Sequence, residues 1–366
     1  MSKAVVQKPK DLFLLEGINI LSFNKDFTQV ALSKKDNLIY IYSVPNLMKT
    51  ETWKLLHTLK SHYQYISGLD WCPETNRLLS CSYDKTSFVW DFVEDKWTPS
   101  NVVATTKLGY LCCKWNKRGD KFCEGTSDKH LFIGYYNAET KWWMGVNIKA
   151  HKSSVVTCEI DPTSLYVISG STDLRIYVSS CYLPEIDDQL LTEDMKPLAK
   201  PFGEVIYEFK ENSWINSATW LPNGYWGLVA SQDAIISIVN LGEQKTEQIR
   251  CNHSPATMLI PKNDNSFYAV CYDRNIIEYE KKDAHWEIKK TITGKKEGDN
   301  KAKTTIGNVS AQLQKFNQMN LQNKQNLAVT TKQASYLHQS QISSINIKDK
   351  DIITTDLSGF VKFWKL

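Results

Sequence analysis

The spacing of one histidine, one aspartate and one tryptophan constrains this chain more than any other feature. In "SHYQYISGLDWCPETNRLLSCSYDKTSFVWDF", His62 lies 22 residues before Asp84, and Asp84 lies six before Trp90. Between His62 and Asp84 run an alternating segment ending at Trp71, the polar turn "CPETNR" and the apolar run "LLSCS". A third run closes at Trp90. Period-two alternation broken by turn residues reads as consecutive antiparallel strands. "AHKSSVVTCEIDPTSLYVISGSTDLRIYV" repeats the 22-residue interval with His151 and Asp173. Shorter copies follow the same rule. "DNLIYIY" places Asp36 six before Tyr42, "DAIISIV" places Asp233 six before Val239, and "DRNIIEY" places Asp273 six before Tyr279. "DKHLFIGYY" starts at Asp128, and "SGFVKFW" keeps the spacing to Trp364 with Ser358 in the aspartate's place. Together these make seven copies. Their period is near the ~40–45 residues of a four-stranded propeller blade.

Each copy leads into a further apolar stretch, several of them opening on tryptophan: Trp53, Trp97, Trp142 and Trp286. These predict a fourth, outer strand. Only two residues follow Trp364, so the last copy has no outer strand of its own, and the early "DLFLLE" is expected to supply it. Closing a ring with strands from both ends removes open edges. A single such unit cannot bury both faces, so the copies are expected to form one domain. The unit resembles a WD40 repeat, although Ser61 stands where that family has a glycine before the histidine. The resemblance implies an all-β, seven-bladed WD40 β-propeller over residues 11–366, closed by the N-terminal strand, after a tail at 1–10.

Twelve tryptophans and seventeen tyrosines suit strands. A net charge of only +4 gives no reason to expect a polyanion binder. The opening "MSKAVVQKPKDLFLLEG" lacks the apolar core of a signal peptide. No apolar run approaches the ~18 residues of a membrane span. A cytoplasmic protein without direct membrane insertion is expected. The nine cysteines show no C-x-x-C spacing, which argues against zinc. They sit in runs such as "YLCCKW" and "YAVCY" and read as reduced, buried thiols. Phosphate-loop, H-E-x-x-H and EF-hand patterns are missing, and "ITGKKEGDN" lacks a phosphate loop's first glycine. No cofactor, metal or catalytic group is expected.

His62, Ser80, Asp84 and Trp90 invite comparison with a nucleophile, base and acid. They also resemble the hydrogen-bonded network of a WD40 blade, which ties the loop before the first strand to the turn between strands two and three. His151, Ser169 and Asp173 repeat three members at the same spacing. A catalytic triad has no need of a second copy one blade later. The expectation is therefore structural.

Two intervals are too long for a blade. Asp173 to Asp233 spans 60 residues and holds the acidic "YLPEIDDQLLTEDMKPLAK" before an outer strand. Asp273 to Ser358 spans 85, about 40 more than a blade needs. The excess is an inserted arm at 293–338 between blades six and seven. Seven lysines between 294 and 332 face only Glu297 and Asp299, a balance of +5 that leaves the rest of the chain at −1. The part "TGKKEGDNKAKTT" has the polarity of a segment that stays unfolded. Further on, Val309, Leu313, Phe316 and Met319 fall at i, i+4, i+7 and i+10, one face of a short helix near 309–325. Alone in water such a helix is too short to hold. It is expected to fold back on blade six or seven, to stay a mostly disordered loop, or to lay its apolar face into a partner's groove. In the partner-groove reading Val309, Leu313, Lys315, Phe316, Met319 and Lys324 are the partner-binding residues.

"GLDWCPETNRLL", "YNAETKWWMGVNIK", "PFGEVIYEF" and an arm containing "QKFNQM" occur in this order. Together they resemble the WD-repeat subunit family, subunit 1, of the actin-related protein 2/3 complex, from about residue 11 to 364. The Trp142–Trp143 pair, the "PFGE" at 201–204 and the arm are the specific parts. The resemblance implies a non-catalytic scaffold and regulatory subunit that supports nucleation of branched actin filaments. Its implied partners are the other subunits of that complex, actin-related protein 2, the actin filament and nucleation-promoting factors. The family's arm presents a Phe and, three residues on, an aliphatic side chain, here Phe316 and Met319. The arm of this chain carries Gln and Asn where the family often has Arg and Glu. The alternative is a free-standing WD40 adaptor, such as a substrate receptor in ubiquitin ligation, binding through loops at the ring's narrow face. An enzyme built on a propeller lacks metal and nucleophile motifs here. Nucleic-acid binding by the arm lacks interleaved Arg and aromatics.

Overall fold

The structure is a computed structural model that describes residues 10–13, 17–243, 245–251, 254–283, 285–292, 338, 340–348 and 351–364. The first strand, β1 (Lys10–Phe13), precedes the ring proper. Blade one holds β2 (Ile20–Phe23), β3 (Gln29–Ser33), β4 (Leu38–Ser43) and β5 (Lys54–Lys60). Blade two holds β6 (Ile66–Trp71), β7 (Leu78–Ser82), β8 (Ser87–Val93) and β9 (Lys96–Val103). Blade three holds β10 (Tyr110–Trp115), β11 (Lys121–Thr126), β12 (Leu131–Asn137) and β13 (Trp142–Ile148). Blade four holds β14 (Val155–Ile160), β15 (Tyr166–Ser171), β16 (Arg175–Ser180), the short helix α1 (Pro184–Asp187) and β17 (Val205–Lys210). Blade five holds β18 (Ile215–Trp220), β19 (Trp226–Ser231), β20 (Ile235–Asn240) and β21 (Lys245–Arg250). Blade six holds β22 (Ala256–Asn263), β23 (Ser266–Cys271), β24 (Ile276–Lys282) and β25 (His285–Thr291). Blade seven holds β26 (Ile342–Lys348), β27 (Asp351–Asp356) and β28 (Phe360–Trp364), and β1 is its outer strand. The closing pair is antiparallel, with Lys10 opposite Phe363 and Phe13 opposite Phe360.

Burial grades across each blade as a ring requires. The second strands β7, β11 and β23 are buried along their whole length, whereas outer strands such as β5 and β9 are mostly exposed. Second strands β7 and β23 therefore read as unbroken small and apolar runs, β11 adds the buried Lys121 and Glu124, and outer strands mix lysine with apolar residues. The core lies between blades. Ile39, Ile41 and Leu59 of blade one pack with Trp71, Leu78 and Trp90 of blade two. At the closure, Ile353, Val361 and Phe363 of blade seven pack with Leu21, Phe23 and Val30 of blade one. Each of the other five boundaries has its own buried cluster. Blades two and three are joined further by their outer strands, with Trp143 of β13 opposite Val102 of β9 in a parallel pair. That pairing covers two edges that a partner strand would otherwise find.

Six innermost strands carry a bulge one residue in from their start, as between Ile66 and Gly68 or between Ile342 and Ser344. The bulged residue is turned out of its own sheet. In three blades its polar side chain reaches the next blade: Ser67 Oγ donates to Tyr110 O at 2.7 Å, Asn216 Nδ2 to Ala256 O at 2.9 Å, and Ser343 Oγ to Ile18 O at 2.9 Å. Asn19 Nδ2 does the same from blade one to Ile66 O at 3.0 Å. Blades three and four have Leu111 and Val156 at this position, which carry no donor.

Candidate functional site

The residues singled out in blade two meet at one end of the ring, where the loop before β6 crosses the turn between β7 and β8. His62 Nε2 lies 2.8 Å from Ser80 Oγ, which also accepts from Trp90 Nε1 at 2.9 Å. His62 Nδ1 lies 2.9 Å from Thr86 Oγ1 and 3.3 Å from Asp84 Oδ2. Asp84 accepts the Tyr63 amide at 2.7 Å and the Thr86 amide at 2.8 Å. Burial alone would raise the Asp84 carboxyl. The hydrogen bonds from His62, Thr86 and the two amides outweigh burial and hold it well below the usual carboxylate range. The next residue, Lys85, is left-handed at φ 72°, and the bond that the Thr86 amide donates to Asp84 offsets that strain. Ser80 is wholly buried and its oxygen is engaged from two sides, so no substrate reaches it as a nucleophile.

Blade four repeats the arrangement. His151 Nε2 lies 2.9 Å from Ser169 Oγ and His151 Nδ1 3.1 Å from Asp173 Oδ2, while the Lys152 and Arg175 amides donate to Asp173. Ser179 stands where blade two has Trp90, while the Tyr177 ring packs against His151 as Phe88 packs against His62. Blade seven contains a further copy that sequence spacing did not reveal. His338 Nδ1 lies 3.0 Å from Asp356 Oδ2, and its Nε2 lies 2.6 Å from Thr354 Oγ1, which accepts from Trp364 Nε1 at 2.9 Å. Ser358 does stand at the aspartate's sequence position, but Asp356, two residues earlier, supplies the carboxylate and accepts the Ser358 and Phe360 amides. The signal was the "TTD" run at 354–356, which ends two residues before Ser358.

The remaining blades place other chemistry at these points. In blade three, Thr106 Oγ1 replaces the histidine and donates to Asp128 at 3.0 Å. Its Ser80 counterpart is Glu124, wholly buried, with one oxygen accepting from Ser87 of blade two. Burial pushes the Glu124 carboxyl up to about 8, against the opposing pull of the Ser87 hydroxyl. In blade six, Cys251 stands in the histidine's place, 3.3 Å from the Tyr279 hydroxyl. The acidic insertion of blade four is fastened by a buried ion cluster. Lys121 Nζ donates to Asp187 Oδ2 at 2.7 Å, Ser164 O at 2.6 Å and Cys181 O at 3.0 Å. Arg118 Nη2 and the Leu183 amide complete the Asp187 carboxylate.

The same end of the ring presents its polar and aromatic surface to solvent. Tyr63 is 86% exposed, Leu108 50% and Trp214 61%, and the Tyr65 and Tyr83 rings stack at 5.8 Å. Lys85, Lys107, Lys129 and Lys152 are exposed there, whereas Asp84, Asp128 and Asp173 are turned into their turns. β25 ends at this end of the ring, and the described chain resumes there at His338. The arm residues Val309, Leu313, Lys315, Phe316, Met319 and Lys324 lie outside the described residues. Among the described residues no cluster of three or more His, Cys, Asp or Glu is arranged to hold a metal ion, and no helix is long and apolar enough to cross a membrane.

Seven four-stranded blades with repeated His–Asp turns define a WD40-repeat β-propeller, and the family description "WD domain, G-beta repeat" matches residues 53–91 and 144–178. Along nearly its whole length the chain resembles actin-related protein 2/3 complex subunit 1. It is 27% identical to subunit 1A-A of Xenopus laevis, covering 96% of this chain and 95% of that protein. It is 27% identical to subunit 1A of Arabidopsis thaliana, covering 96% and 94%. With subunit 1 of Schizosaccharomyces pombe it shares 22% over 72% of this chain and 71% of the relative.

Proposed function

We propose that this chain is a non-catalytic scaffold and regulatory subunit of an actin-related protein 2/3 complex, acting in the cytoplasm at the actin cytoskeleton. The observation that carries the reading is the end-to-end similarity to proteins of that name from frog and plant. Geometry supports it. In blades two and four the histidine, serine and aspartate side chains are bonded to one another, so what these blades offer other molecules is surface. A closed ring with a covered core at every boundary is rigid enough to hold several partners at fixed positions. On this reading the chain contacts neighbouring subunits and actin-related protein 2 and helps bind nucleation-promoting factors. Its basic arm reaches an acidic actin or actin-related surface, with Phe316 and Met319 as anchors and the lysines steering the encounter.

The test is reconstitution. Complex assembled with this chain is compared with complex lacking it in a branching assay by fluorescence microscopy. Restored branching supports the reading. Full branching without the chain, or failure of the chain to join the complex, removes it.

A further inference from the structure

Cys112 of β10 and Cys158 of β14 face each other across the boundary of blades three and four, with their sulfurs 3.6 Å apart. This is a boundary where the bulged residue, Leu111, has no donor to reach the next blade. The nearby Cys123 also borders Cys158, and its thiol donates to the Lys114 carbonyl at 3.6 Å. Gly125 keeps the space open, because a Cβ there would sit 2.8 Å from the Cys112 sulfur. Cys112 is partly exposed and Cys158 buried. The two thiols thus differ in access, as an oxidant-facing cysteine and its resolving partner do.

We propose that Cys112 and Cys158 are a redox modification site that a peroxide converts into a disulfide between blades three and four. Cys112, as thiolate, attacks one peroxide oxygen. The O–O bond breaks, hydroxide leaves and takes up the proton Cys112 gave up, and Cys112 becomes a sulfenic acid. The Cys158 sulfur then attacks the Cys112 sulfur, the S–O bond breaks, and the oxygen leaves as water with the Cys158 proton. Two thiols and one peroxide give one disulfide and two waters, and the two electrons reduce the peroxide. The sulfurs need to close from 3.6 Å to the ~2.05 Å of a disulfide, a movement within reach of side-chain rotation. The neighbouring Cys112 and Cys123 thiols and burial keep Cys158 protonated well above the ordinary thiol range, so the oxidant meets Cys112 first. The bond would close the chain between 112 and 158 into a covalent loop across the boundary.

The experiment uses the reduced, folded full chain, exposed to hydrogen peroxide, blocked with N-ethylmaleimide and digested with trypsin without reductant. The expected product is peptide 108–114 joined to peptide 153–175, with fragmentation placing the link at Cys112. It persists in Cys113→Ser, disappears in Cys112→Ala, and returns to free peptides on reduction. Oxidation also slows unfolding in urea at least tenfold for the wild type and leaves Cys158→Ala unchanged. Loss of thiols without this linked pair overturns the proposal. So does a link through Cys113 or Cys123. The wild-type map decides the matter even if a variant fails to fold.

Discussion

Replacing Asp187 by alanine should cost this protein more than replacing its buried partner Lys121 by methionine, and the structure says by how much. Lys121 and Asp187 are both wholly buried. Without Asp187, the ammonium keeps only the Ser164 and Cys181 carbonyls, the Leu183 amide loses its acceptor, and Arg118 is left with Asp120. Breaking a buried pair in this way costs about 3–5 kcal/mol, because an uncompensated charge stays in the interior. Lys121→Met removes the charge itself. Asp187 then retains Arg118 and the Leu183 amide, and the loss is two buried carbonyl acceptors, about 1–3 kcal/mol. The assay is urea unfolding of both variants, followed by tryptophan fluorescence, with limited proteolysis of the 184–200 insertion alongside. Asp187→Ala should lower the midpoint further and open the insertion to protease. Equal losses, or an Asp187→Ala loss below about 1 kcal/mol, would refute the reasoning.

Three other outcomes follow from the same geometry. Asp356→Ala should destabilise the ring by about 1–3 kcal/mol from stranded donors, and Ser358→Ala by much less, as measured by chemical denaturation; the reverse order would put the blade-seven turn in error. Glu124 has a folded-state value raised from 4.5 to about 8, so the folded chain binds the extra proton. Stability should therefore fall as pH rises from about 4.5 towards 8 and level off above it, on the order of a few kcal/mol, and Glu124→Gln should flatten that slope in urea midpoints taken at pH 5, 7 and 9. Phe316→Ala combined with Met319→Ala should reduce branching while the complex still assembles; normal branch density from that double variant would remove the arm from the account.

The ring was legible because its signals are local. The interval from His62 to Asp84, the six residues to Trp90 and the alternation between them are set within one blade. What escaped depends on contacts between distant segments. Lys121 and Asp187 are 66 residues apart, and in sequence one is a strand lysine and the other a member of an acidic loop. The parallel pairing of β13 with β9 follows from how two blades splay, which no single repeat encodes. In blade seven the carboxylate moved two residues to Asp356, where His338 approaches, so a fixed spacing rule stopped at Ser358. In blade three the positions held Thr106 and Glu124, whose roles emerge only from the hydroxyls and carboxylate they face.

The account stands or falls on what this chain is bound to in its own cell. The chain, tagged at its N-terminus and purified gently from that cell, should elute in one-to-one proportion with two actin-related proteins and their small subunits, quantified by mass spectrometry. Recovery of the ring alone, or with ubiquitin-ligase components in their place, would contradict it.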